Sequence, residues 1–297
     1  MIDLVMLLHS ALSAGTYLAA KRALAELSPF ELALARFGFA GLVYAGLLLW
    51  RPRKVARRDL LAMAVLGFVA IPLNQGLFLF GLSWTTPGHA ALLYAMTPVF
   101  VFVLALLRRE ERSSPWKTLG IAVAFAGAAV VLAGRGQLSS GAGAPRALLG
   151  DLLVLLAVIS WAVYAVWGKP YAERYGVVTT TGVTIVTGSL LYLPFGIVLS
   201  SPASFQALSR VGWGSVAYLV VLTSVVSYLL YYWALAREDA SRVAIWSNTQ
   251  PVLTALLAWA VYGDPLTPSF VAGGILVIVG VAMTQRRPPR RAHKLRG

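Results

Sequence analysis

Residues 93–128 read LYAMTPVFVFVLALLRREERSSPWKTLGIAVAFAGA, and residues 246–281 read WSNTQPVLTALLAWAVYGDPLTPSFVAGGILVIVGV. Each stretch is an apolar segment interrupted by proline, followed by a short polar turn and a second apolar segment. At a shift of 153 residues the prolines and glycines coincide, in the pairs Pro98 and Pro251, Pro115 and Pro268, Gly120 and Gly273, and Gly127 and Gly280. Proline and glycine constrain the backbone rather than supply bulk, so their shared spacing indicates an internal repeat.

The composition is that of a protein that crosses a membrane several times. Of the 297 residues, 59% are hydrophobic and 12% are charged, whereas about a quarter are charged in a typical soluble domain. Mean hydropathy is +0.76. The sequence has no cysteine, which excludes disulfides and cysteine metal sites. Its three histidines are far apart and no catalytic motif occurs, so we expect no enzyme, no metal and no other cofactor.

Hydropathy divides the chain into spans. A transmembrane helix needs about 20 predominantly apolar residues. Ten stretches meet this requirement: 4–25, 30–50, 59–82, 87–107, 115–134, 147–170, 177–199, 211–235, 241–262 and 267–285. We therefore predict an all-α polytopic membrane protein with ten transmembrane helices, arranged as two inverted-topology five-helix repeats. The repeats occupy residues 1–134 and 147–285, a flexible Gly/Ser/Ala/Pro-rich linker lies at 135–146, and a basic cytoplasmic tail follows at 286–297.

Lysine and arginine are distributed unequally between the two sides of the predicted bundle. With the N-terminus inside, nineteen of them fall in cytoplasmic loops and the tail, five fall on the opposite side, and Arg36 lies within the second span. The positive-inside rule therefore predicts that both termini are cytoplasmic. Because this topology accounts for the net charge of +14, we expect no nucleic-acid partner. Attraction of the basic tail to anionic membrane lipid is the favoured additional role.

The odd number of spans in each half determines their relative orientation. Five spans per half make the second half cross the membrane upside down relative to the first. The 153-residue shift extends to the third and eighth spans, where Asn74 falls on Ser227 and Phe78 falls on Tyr231. Inverted-topology repeats are a hallmark of secondary transporters, whose substrate site lies near the midplane between the halves.

Several features of the chain recur together in one known family. They are the run AALLYAMTPVFVFVLALL, the acidic pair Glu110 and Glu111, the run LGIAVAFAGAAVVL, and Arg36 with Phe37 in the second span. In these features the chain resembles the EamA repeat of the drug/metabolite transporter (DMT) superfamily, although Asp264 stands where the second repeat commonly has Glu. Within the superfamily the chain most resembles amino-acid exporters of the YddG type. This resemblance implies an exporter of amino acids, including aromatic ones, and of some cationic compounds, in the bacterial inner membrane.

Two spans are predicted to be kinked by proline. Pro98 and Pro251 cannot donate a backbone hydrogen bond, and each ring crowds the carbonyl four residues earlier. Before Pro251, residues 247–250 form an uninterrupted polar run, SNTQ. These side chains either hydrogen-bond to neighbouring helices or line a cavity that receives a polar substrate. We favour the cavity, because one or two polar residues suffice for helix association.

Polar and aromatic side chains near the middle of the spans are the candidates for lining a substrate cavity. They are Asn74, Gln75, Phe78, Tyr94, Trp161, Tyr164, Trp167, Tyr228, Tyr231, Tyr232, Trp246, Asn248 and Gln250. Aromatic rings that carry an O–H or N–H can stack on an organic substrate, hydrogen-bond to it, or hold a cation over the ring face. The alternative for the Trp and Tyr residues is the aromatic belt at the membrane interface.

The charged residues within or next to the spans support no specific coupling mechanism. All eleven acidic residues fall in loops or near span ends, so proton coupling by a buried carboxylate has no clear candidate. Lys21 and Lys169 occupy comparable ends of two spans, where snorkelling to the interface is the default interpretation and sensing of a substrate carboxylate the alternative. His89 at the start of the fourth span is interpreted as a bystander. The paired glycines predict close packing, either within the chain or in a homodimer.

The combined patterns favour an alternating-access carrier that exports small metabolites, amino acids foremost. Its expected partners are a small-molecule substrate and membrane lipid. A facilitative uniporter or an exporter of organic cations or drugs is the main alternative. A membrane-embedded enzyme is disfavoured, because the sequence offers no acid pair, nucleophile–base set or metal ligands. A channel is disfavoured because no pattern of charge rings occurs in the spans.

Overall fold

Helices make up all regular structure in the described part of the chain. A computed structural model describes residues 2–108, 115–138, 144–238, 240–244, 246, 249–263 and 266–284. The main helices are α1 (Ile2–Ala23), α2 (Pro29–Trp50), α3 (Arg57–Trp84), α4 (Pro87–Leu107), α5 (Pro115–Leu138), α6 (Ala144–Tyr175), α7 (Val177–Val198), α8 (Arg210–Leu235), α9 (Thr249–Tyr262) and α10 (Pro268–Thr284). Short helices at Pro202–Ala207 and Ala240–Ala244 precede α8 and α9.

Helix length and composition identify a multi-pass membrane protein. Within the described ranges, seven helices are long and apolar enough to cross a membrane, namely α1 to α4 and α6 to α8. Two shorter apolar helices, Val252–Tyr262 and Pro268–Met283, lie towards the C-terminus. The prediction of an all-helical membrane protein is therefore confirmed. The count of ten spans and their inverted 5+5 arrangement stay predictions.

Local sequence signals set the boundaries of individual helices. At the start of α2, the Ser28 hydroxyl accepts a hydrogen bond from the Glu31 N–H, and the Glu31 carboxylate accepts one from the Ser28 N–H. This capping box satisfies N–H groups that have no partner within the helix. Between α6 and α7 the chain turns at Gly176, whose φ of 83° lies in the region that glycine alone enters readily.

Both α3 and α8 contain a stretch of π-helix. The stretches are Val69–Leu73, which includes Pro72, and Tyr218–Ser227. At the 153-residue shift, the first stretch falls within the second. A π-helical stretch widens the helix and reorients the side chains that follow it, and such stretches are frequent at functional sites. In α3 it is followed directly by Asn74 and Gln75, which the sequence singles out as cavity candidates.

Glycine contacts bring α5 and α10 together backbone to backbone. A Cβ atom at Gly127 would lie 2.7 Å from the Gly273 carbonyl oxygen, and one at Gly280 would lie 2.6 Å from the Gly120 carbonyl oxygen. The two helices therefore run antiparallel. The contact is symmetric under the repeat, because exchanging each glycine for its repeat equivalent turns the Gly127–Gly273 contact into the Gly280–Gly120 contact. The glycine faces thus pack against each other within the chain, which was one of the two uses predicted for them. The predicted homodimer gains no support from these glycines, because their faces are already in contact within one chain.

Two lysines donate hydrogen bonds to carbonyl oxygens at the ends of other helices. The Lys21 ammonium on α1 donates to the carbonyl oxygens of Leu82 at 2.9 Å and Thr85 at 2.7 Å, at the end of α3. On α6, the Lys169 ammonium donates to the carbonyl oxygens of Leu235 at 2.8 Å and Glu238 at 2.7 Å, at the end of α8. Carbonyls at a helix C-terminus have no intrahelical partner and favour a cation. Both lysines are therefore helix caps, which neither sequence interpretation included.

The interruption of α4 lies just before Pro98. The helix is broken at Ala95 and Met96, and its second part begins at Thr97. The Thr97 hydroxyl donates to the Tyr94 carbonyl oxygen at 2.6 Å, which is the carbonyl that the Pro98 ring crowds. The break predicted from Pro98 is therefore present, and its freed carbonyl is satisfied inside the protein. In α9, the backbone around Pro251 is helical from Thr249 onward, and Ser247 and Asn248 lie outside the described residues.

Candidate substrate cavity

A cavity of polar and aromatic side chains lies inside the bundle. It is bounded by residues of α1, α2, α3, α4, α6, α8 and α9, and therefore by both predicted halves of the chain. The lining residues are His9, Ser13, Thr16, Tyr17, Arg36, Gln75, Phe78, Tyr94, Trp161, Thr223, Tyr228, Tyr231 and Gln250. No Asp or Glu is among the described residues that line it.

The cavity brings together seven of the side chains that the sequence selects. These are Gln75, Phe78, Tyr94, Trp161, Tyr228, Tyr231 and Gln250. Another predicted residue, Asn74, is fully buried next to the cavity, and its amide donates to the Ala157 carbonyl oxygen at 2.6 Å. It thereby ties α3 to α6 and supports the adjacent Gln75 side chain, to which it is hydrogen-bonded.

The other described residues of the predicted set are not among those that line the cavity. Tyr164 and Tyr232 are fully buried, and the Tyr232 hydroxyl donates to the Tyr164 carbonyl oxygen at 3.1 Å. Trp167 is 39% exposed, with the Arg108 guanidinium 5.1 Å from its ring centroid. Trp246 is partly buried, and its carbonyl oxygen accepts from the Ser10 hydroxyl at 3.0 Å. Asn248 lies outside the described residues.

Among the described residues that line the cavity, Arg36 is the one with a permanent charge. Its side chain is 1% exposed. The Arg36 Nε donates to the Ser224 hydroxyl at 2.8 Å, and its Nη1 donates to the Gln75 Oε1 at 2.9 Å. Gln75 in turn donates to Asn74 and, at 3.4 Å, to the Tyr228 hydroxyl. The guanidinium is thus held by two neutral side chains. Ser224 lies within the π-helical stretch of α8, and Gln75 lies just after that of α3.

A second polar cluster joins α1 to α8 at the cavity. The Thr16 and Thr223 hydroxyls lie 2.9 Å apart, and the Ser13 and Ser227 hydroxyls lie 3.0 Å apart. His9 Nδ1 lies 2.8 Å from the Ser227 hydroxyl oxygen. These contacts cross the boundary between the predicted halves. They therefore couple the first helix of one half to the π-helical stretch of the other.

Two aromatic groups flank these polar clusters. Tyr17, Phe78 and Tyr94 pack edge to face, with ring centroids 5.6 to 5.9 Å apart. On the other side, the Trp161 ring centroid lies 5.2 Å from that of Tyr228 and 5.4 Å from that of Tyr231. Edge-to-face packing leaves ring faces available to a ligand while keeping the rings fixed. The arrangement suits an organic molecule with both apolar and polar parts.

Six cavity residues are absent from the set that the sequence selects, and only one kind of sequence signal, intramembrane polarity, bears on any of them. An arginine within a span is costly and usually functional, so position alone marks Arg36 as a candidate. His9 and Tyr17 lie near the middle of the first span, where intramembrane polarity is the same kind of signal. Ser13, Thr16 and Thr223 carry no such signal, because serine and threonine are common in transmembrane helices.

The cavity is narrow in this conformation. Its volume is about 70 Å³, whereas pockets that enclose drug-sized ligands measure roughly 300–1,000 Å³. A substrate as large as an aromatic amino acid therefore requires the surrounding helices to separate. In this conformation the Tyr17 hydroxyl donates to Gln250 Oε1 at 3.2 Å, which joins α1 to α9 at the cavity.

An acidic residue with a histidine partner lies outside the cavity lining. Asp151 on α6 is fully buried; it accepts a hydrogen bond from the Thr85 hydroxyl, and its other oxygen lies 3.3 Å from His89 Nδ1. His89 is thus not a bystander but part of a contact between α4 and α6. The described residues contain no group of three His, Asp or Glu side chains that could hold a metal ion.

The sequence matches one family model twice. The EamA-like transporter family model matches residues 1–133 and residues 148–286. The chain belongs to the EamA-like transporter family. The two matched segments leave residues 134–147 between them, where the sequence predicts the linker.

Relatives of this EamA-like chain are transporters by name. It is 28% identical to the uncharacterized transporter YyaM of Bacillus subtilis over 286 residues, covering 94% of this chain and 92% of YyaM. It is also 28% identical to an uncharacterized transporter of Archaeoglobus fulgidus, covering 95% and 96% of the two chains. A crystal structure with 20% sequence identity matches with a TM-score of 0.67 over 95% of this chain and 96% of the other. These relationships identify a transporter and its fold; they leave the substrate open.

Proposed function

We propose that this EamA-family transporter is an alternating-access carrier that exports small metabolites, amino acids including aromatic ones, across the bacterial inner membrane. The observation that carries the proposal is the cavity inside the bundle. It combines a buried guanidinium, amide and hydroxyl groups, and fixed aromatic rings, which together can bind the polar and apolar parts of an amino acid. The resemblance to YddG-type exporters points to the same substrate class.

Several contacts support an arrangement of two inverted halves with ten spans. Lys21 caps the end of α3 as Lys169 caps the end of α8, and the capped carbonyls of Leu82 and Thr85 correspond to those of Leu235 and Glu238 at the 153-residue shift. The antiparallel contact between α5 and α10 is likewise two-fold in its glycine pairs. A pseudo-two-fold axis places equivalent barriers on opposite membrane faces, which is the architecture that alternating access requires. We place both termini in the cytoplasm on the basis of charge distribution.

Flux through proteoliposomes tests this proposal directly. Purified protein is reconstituted with an internal mixture of the standard amino acids, and uptake of each radiolabelled amino acid is followed with and without that internal load. We expect saturable uptake that the internal load accelerates, because a carrier returns faster when it is occupied. If the protein accelerates neither amino acids nor organic cations over empty liposomes, the proposal is wrong.

A facilitative uniporter or exporter of organic cations is the second candidate, and one observation favours it. The ring faces of Tyr17, Phe78 and Tyr94 and those around Trp161 are suited to holding a cation. Arg36 opposes it, because a cation entering the cavity meets a like charge in a low-dielectric environment. The same flux assay with tetraethylammonium and phenethylamine separates the two candidates.

A further inference from the structure

We infer that the cavity recognises its substrate through a carboxylate bound at Arg36, and that it therefore selects against organic cations. This inference rests on the proposed transport function and specifies the substrate class for it. The ligand is an organic acid or zwitterion whose anionic group approaches the guanidinium. Three features support it: the charge of Arg36, the N–H donors that Arg36 has left for a ligand, and the Tyr231 hydroxyl, which has no hydrogen bond of ordinary geometry with a described residue.

The first step is the balance of charge. Arginine stays protonated in proteins, so Arg36 carries a full positive charge at 1% exposure. No described Asp or Glu forms an ion pair with it, and none of those residues lines the cavity. Buried charges are normally paired, because an isolated charge is poorly solvated there. An anionic ligand supplies the missing counter-charge when it enters.

The second step is geometry. A guanidinium has five N–H donors in a planar fork that matches the two oxygens of a carboxylate. Two of the five N–H groups are used by Ser224 and Gln75, and the Tyr228 hydroxyl is hydrogen-bonded to the guanidinium as well. These contacts hold the fork in place without neutralising it. Fixing the donor in advance reduces the ordering that the ligand must impose on binding.

The third step is an independent polar group at the same cavity. Tyr231 is 1% exposed and lines the cavity, yet its hydroxyl makes no hydrogen bond of ordinary geometry with a described residue. Its ring packs against that of Trp161. Buried hydroxyls almost always have a partner, so an unpartnered one in a cavity wall marks a place where a ligand supplies it. A bound acid offers carboxylate oxygens to both Tyr231 and Arg36.

The aromatic groups then explain how the site accepts an amino acid without an acidic residue. An ammonium group can rest over a ring face of Tyr17, Phe78 or Tyr94. A zwitterion thus places its carboxylate at Arg36 and its ammonium against the rings. A simple organic cation has only the second interaction and suffers repulsion from Arg36.

A series of ligands on the wild-type protein tests the inference without any mutation. Thermal stabilisation of the detergent-purified protein is measured with the standard L-amino acids, with phenylalanine and leucine amides, and with phenethylamine, each at matched ionic strength. We expect at least one acid to bind about tenfold or more tightly than its amide, because the charge-assisted hydrogen bonds are lost. If the amides or amine bind as tightly as the acids, or no acid stabilises more than chloride or phosphate, the inference is wrong.

Variants connect the preference to the named residues. Arg36→Gln should abolish the preference for acid over amide, whereas Arg36→Lys should keep part of it. Tyr231→Phe removes a hydroxyl that makes no hydrogen bond of ordinary geometry with a described residue, so the protein should fold and bind acids several times more weakly. Acid preference that survives in a folded Arg36→Gln protein overturns the inference. Should that variant not fold, the wild-type ligand series decides.

Flux measurements keep this inference separate from the carrier proposal. Acid-selective binding without any acid flux in proteoliposomes would retain the Arg36 site and refute the carrier. Equal flux of acids, amides and cations would retain the carrier and refute the Arg36 site.

Discussion

The two capping lysines show that backbone carbonyl groups can be hydrogen-bond partners for a charged side chain in a membrane protein. Lys21 and Lys169 each donate to carbonyl oxygens at the end of another helix. Lys169 also pairs with Glu173 at 3.1 Å. Each ammonium joins two helices of its own predicted half, so its removal should weaken that half rather than the cavity.

Replacing either lysine by methionine should destabilise the protein while leaving the substrate site intact. Lys21→Met and Lys169→Met each leave carbonyl oxygens without a donor, which should cost about 1–3 kcal/mol. The measurement is the midpoint of thermal unfolding in detergent. Lys54→Met, on an exposed loop position, is the matched control and should have little effect. Unchanged midpoints in both Lys→Met variants would show that water replaces the caps.

Glu26 predicts a dependence of stability on pH. It lies in the loop between α1 and α2, where the Ser209 N–H and hydroxyl both donate to it at 2.8 Å and Arg22 pairs with it at 2.7 Å. Chiefly because of the Ser209 hydrogen bonds, the pKa of Glu26 lies below its ordinary value of 4.5. A lowered pKa stabilises the folded state above the unfolded-state value, and this contribution is lost as the pH falls through the folded-state pKa.

The matched variant for this effect is Glu26→Gln. At neutral pH it should unfold at a lower temperature than the wild-type protein, since the charged acceptor is gone. The difference should shrink as the pH is lowered from about 5 to about 3, because the wild-type carboxyl then becomes neutral as well. Parallel unfolding curves for the two proteins across that range would contradict the assignment.

Much of the residue-level chemistry was beyond sequence reasoning, for a physical reason. Hydropathy and polarity locate Gln75, Tyr228 and Gln250 within spans, and the structure brings them to one cavity. The partners of a side chain depend on which helices touch, and Arg36 meets Ser224 across 188 positions of sequence. The bystander interpretation of His89 fails for the same reason, because Asp151 is supplied by another helix.

At the scale of elements, the packing of α5 against α10 leaves no room for a side chain. At Gly280 a Cβ atom would lie 2.4 Å from the Ala124 backbone nitrogen, and backbone atoms cannot move aside as a flexible side chain can. Gly280→Ala and Gly127→Ala should therefore separate the helices and cost about 1–3 kcal/mol each. Gly46→Ala in α2 is the control, because nothing lies within 4 Å of its Cβ position.

Unfolding midpoints compared among these three alanine variants test the contact. Alanine favours helix over glycine by roughly 0.5–1 kcal/mol, so the control should be neutral or stabilised. If Gly280→Ala were as stable as Gly46→Ala, the two helices would not be in backbone contact. An unchanged elution volume of Gly280→Ala in size-exclusion chromatography would also show that this glycine face packs within one chain and not between two.

The positions of the helices were predictable, whereas their irregularities were not. A span has a length set by the bilayer, so apolar runs such as 30–50 and 177–199 coincide closely with α2 and α7. The break in α4 was predictable from Pro98, because proline has no backbone N–H to donate within the helix. The π-helical stretch Tyr218–Ser227 contains no proline, so no local sequence signal predicts it. Within this stretch the Ser224 carbonyl oxygen accepts a hydrogen bond from the Tyr44 hydroxyl at 3.1 Å.

For the whole molecule, contacts between the predicted halves should control transport. Gln250 on α9 accepts a hydrogen bond from the Tyr17 hydroxyl on α1 and lines the cavity. Gln250→Ala should lower flux in proteoliposomes severalfold while the protein stays folded and monodisperse. Gln206→Ala, at an exposed position of a short helix, is the matched control. Normal flux through Gln250→Ala would exclude that side chain from the pathway.

The predicted topology can be tested cleanly because the natural sequence contains no cysteine. With both termini cytoplasmic, Ser201 faces the outside and Lys54 faces the cytoplasm. A membrane-impermeant maleimide should label Ser201→Cys in intact cells and Lys54→Cys after permeabilisation alone. The reverse pattern would invert the molecule in the membrane, and labelling of both in intact cells would contradict the assigned spans.

The caps of Lys21 and Lys169 also bear on how a protein with inverted halves is inserted. The two side chains do the same structural work, yet the predicted topology puts them on opposite faces, so one of them must oppose the charge asymmetry that orients the chain. Lys21 is that one, among the five basic residues on the outer side. Its charge is taken up by three carbonyl groups of its own fold. Such a lysine stabilises the fold but weakens the charge asymmetry that orients the chain in the membrane. The excess of basic residues in the predicted cytoplasmic loops and tail compensates for it.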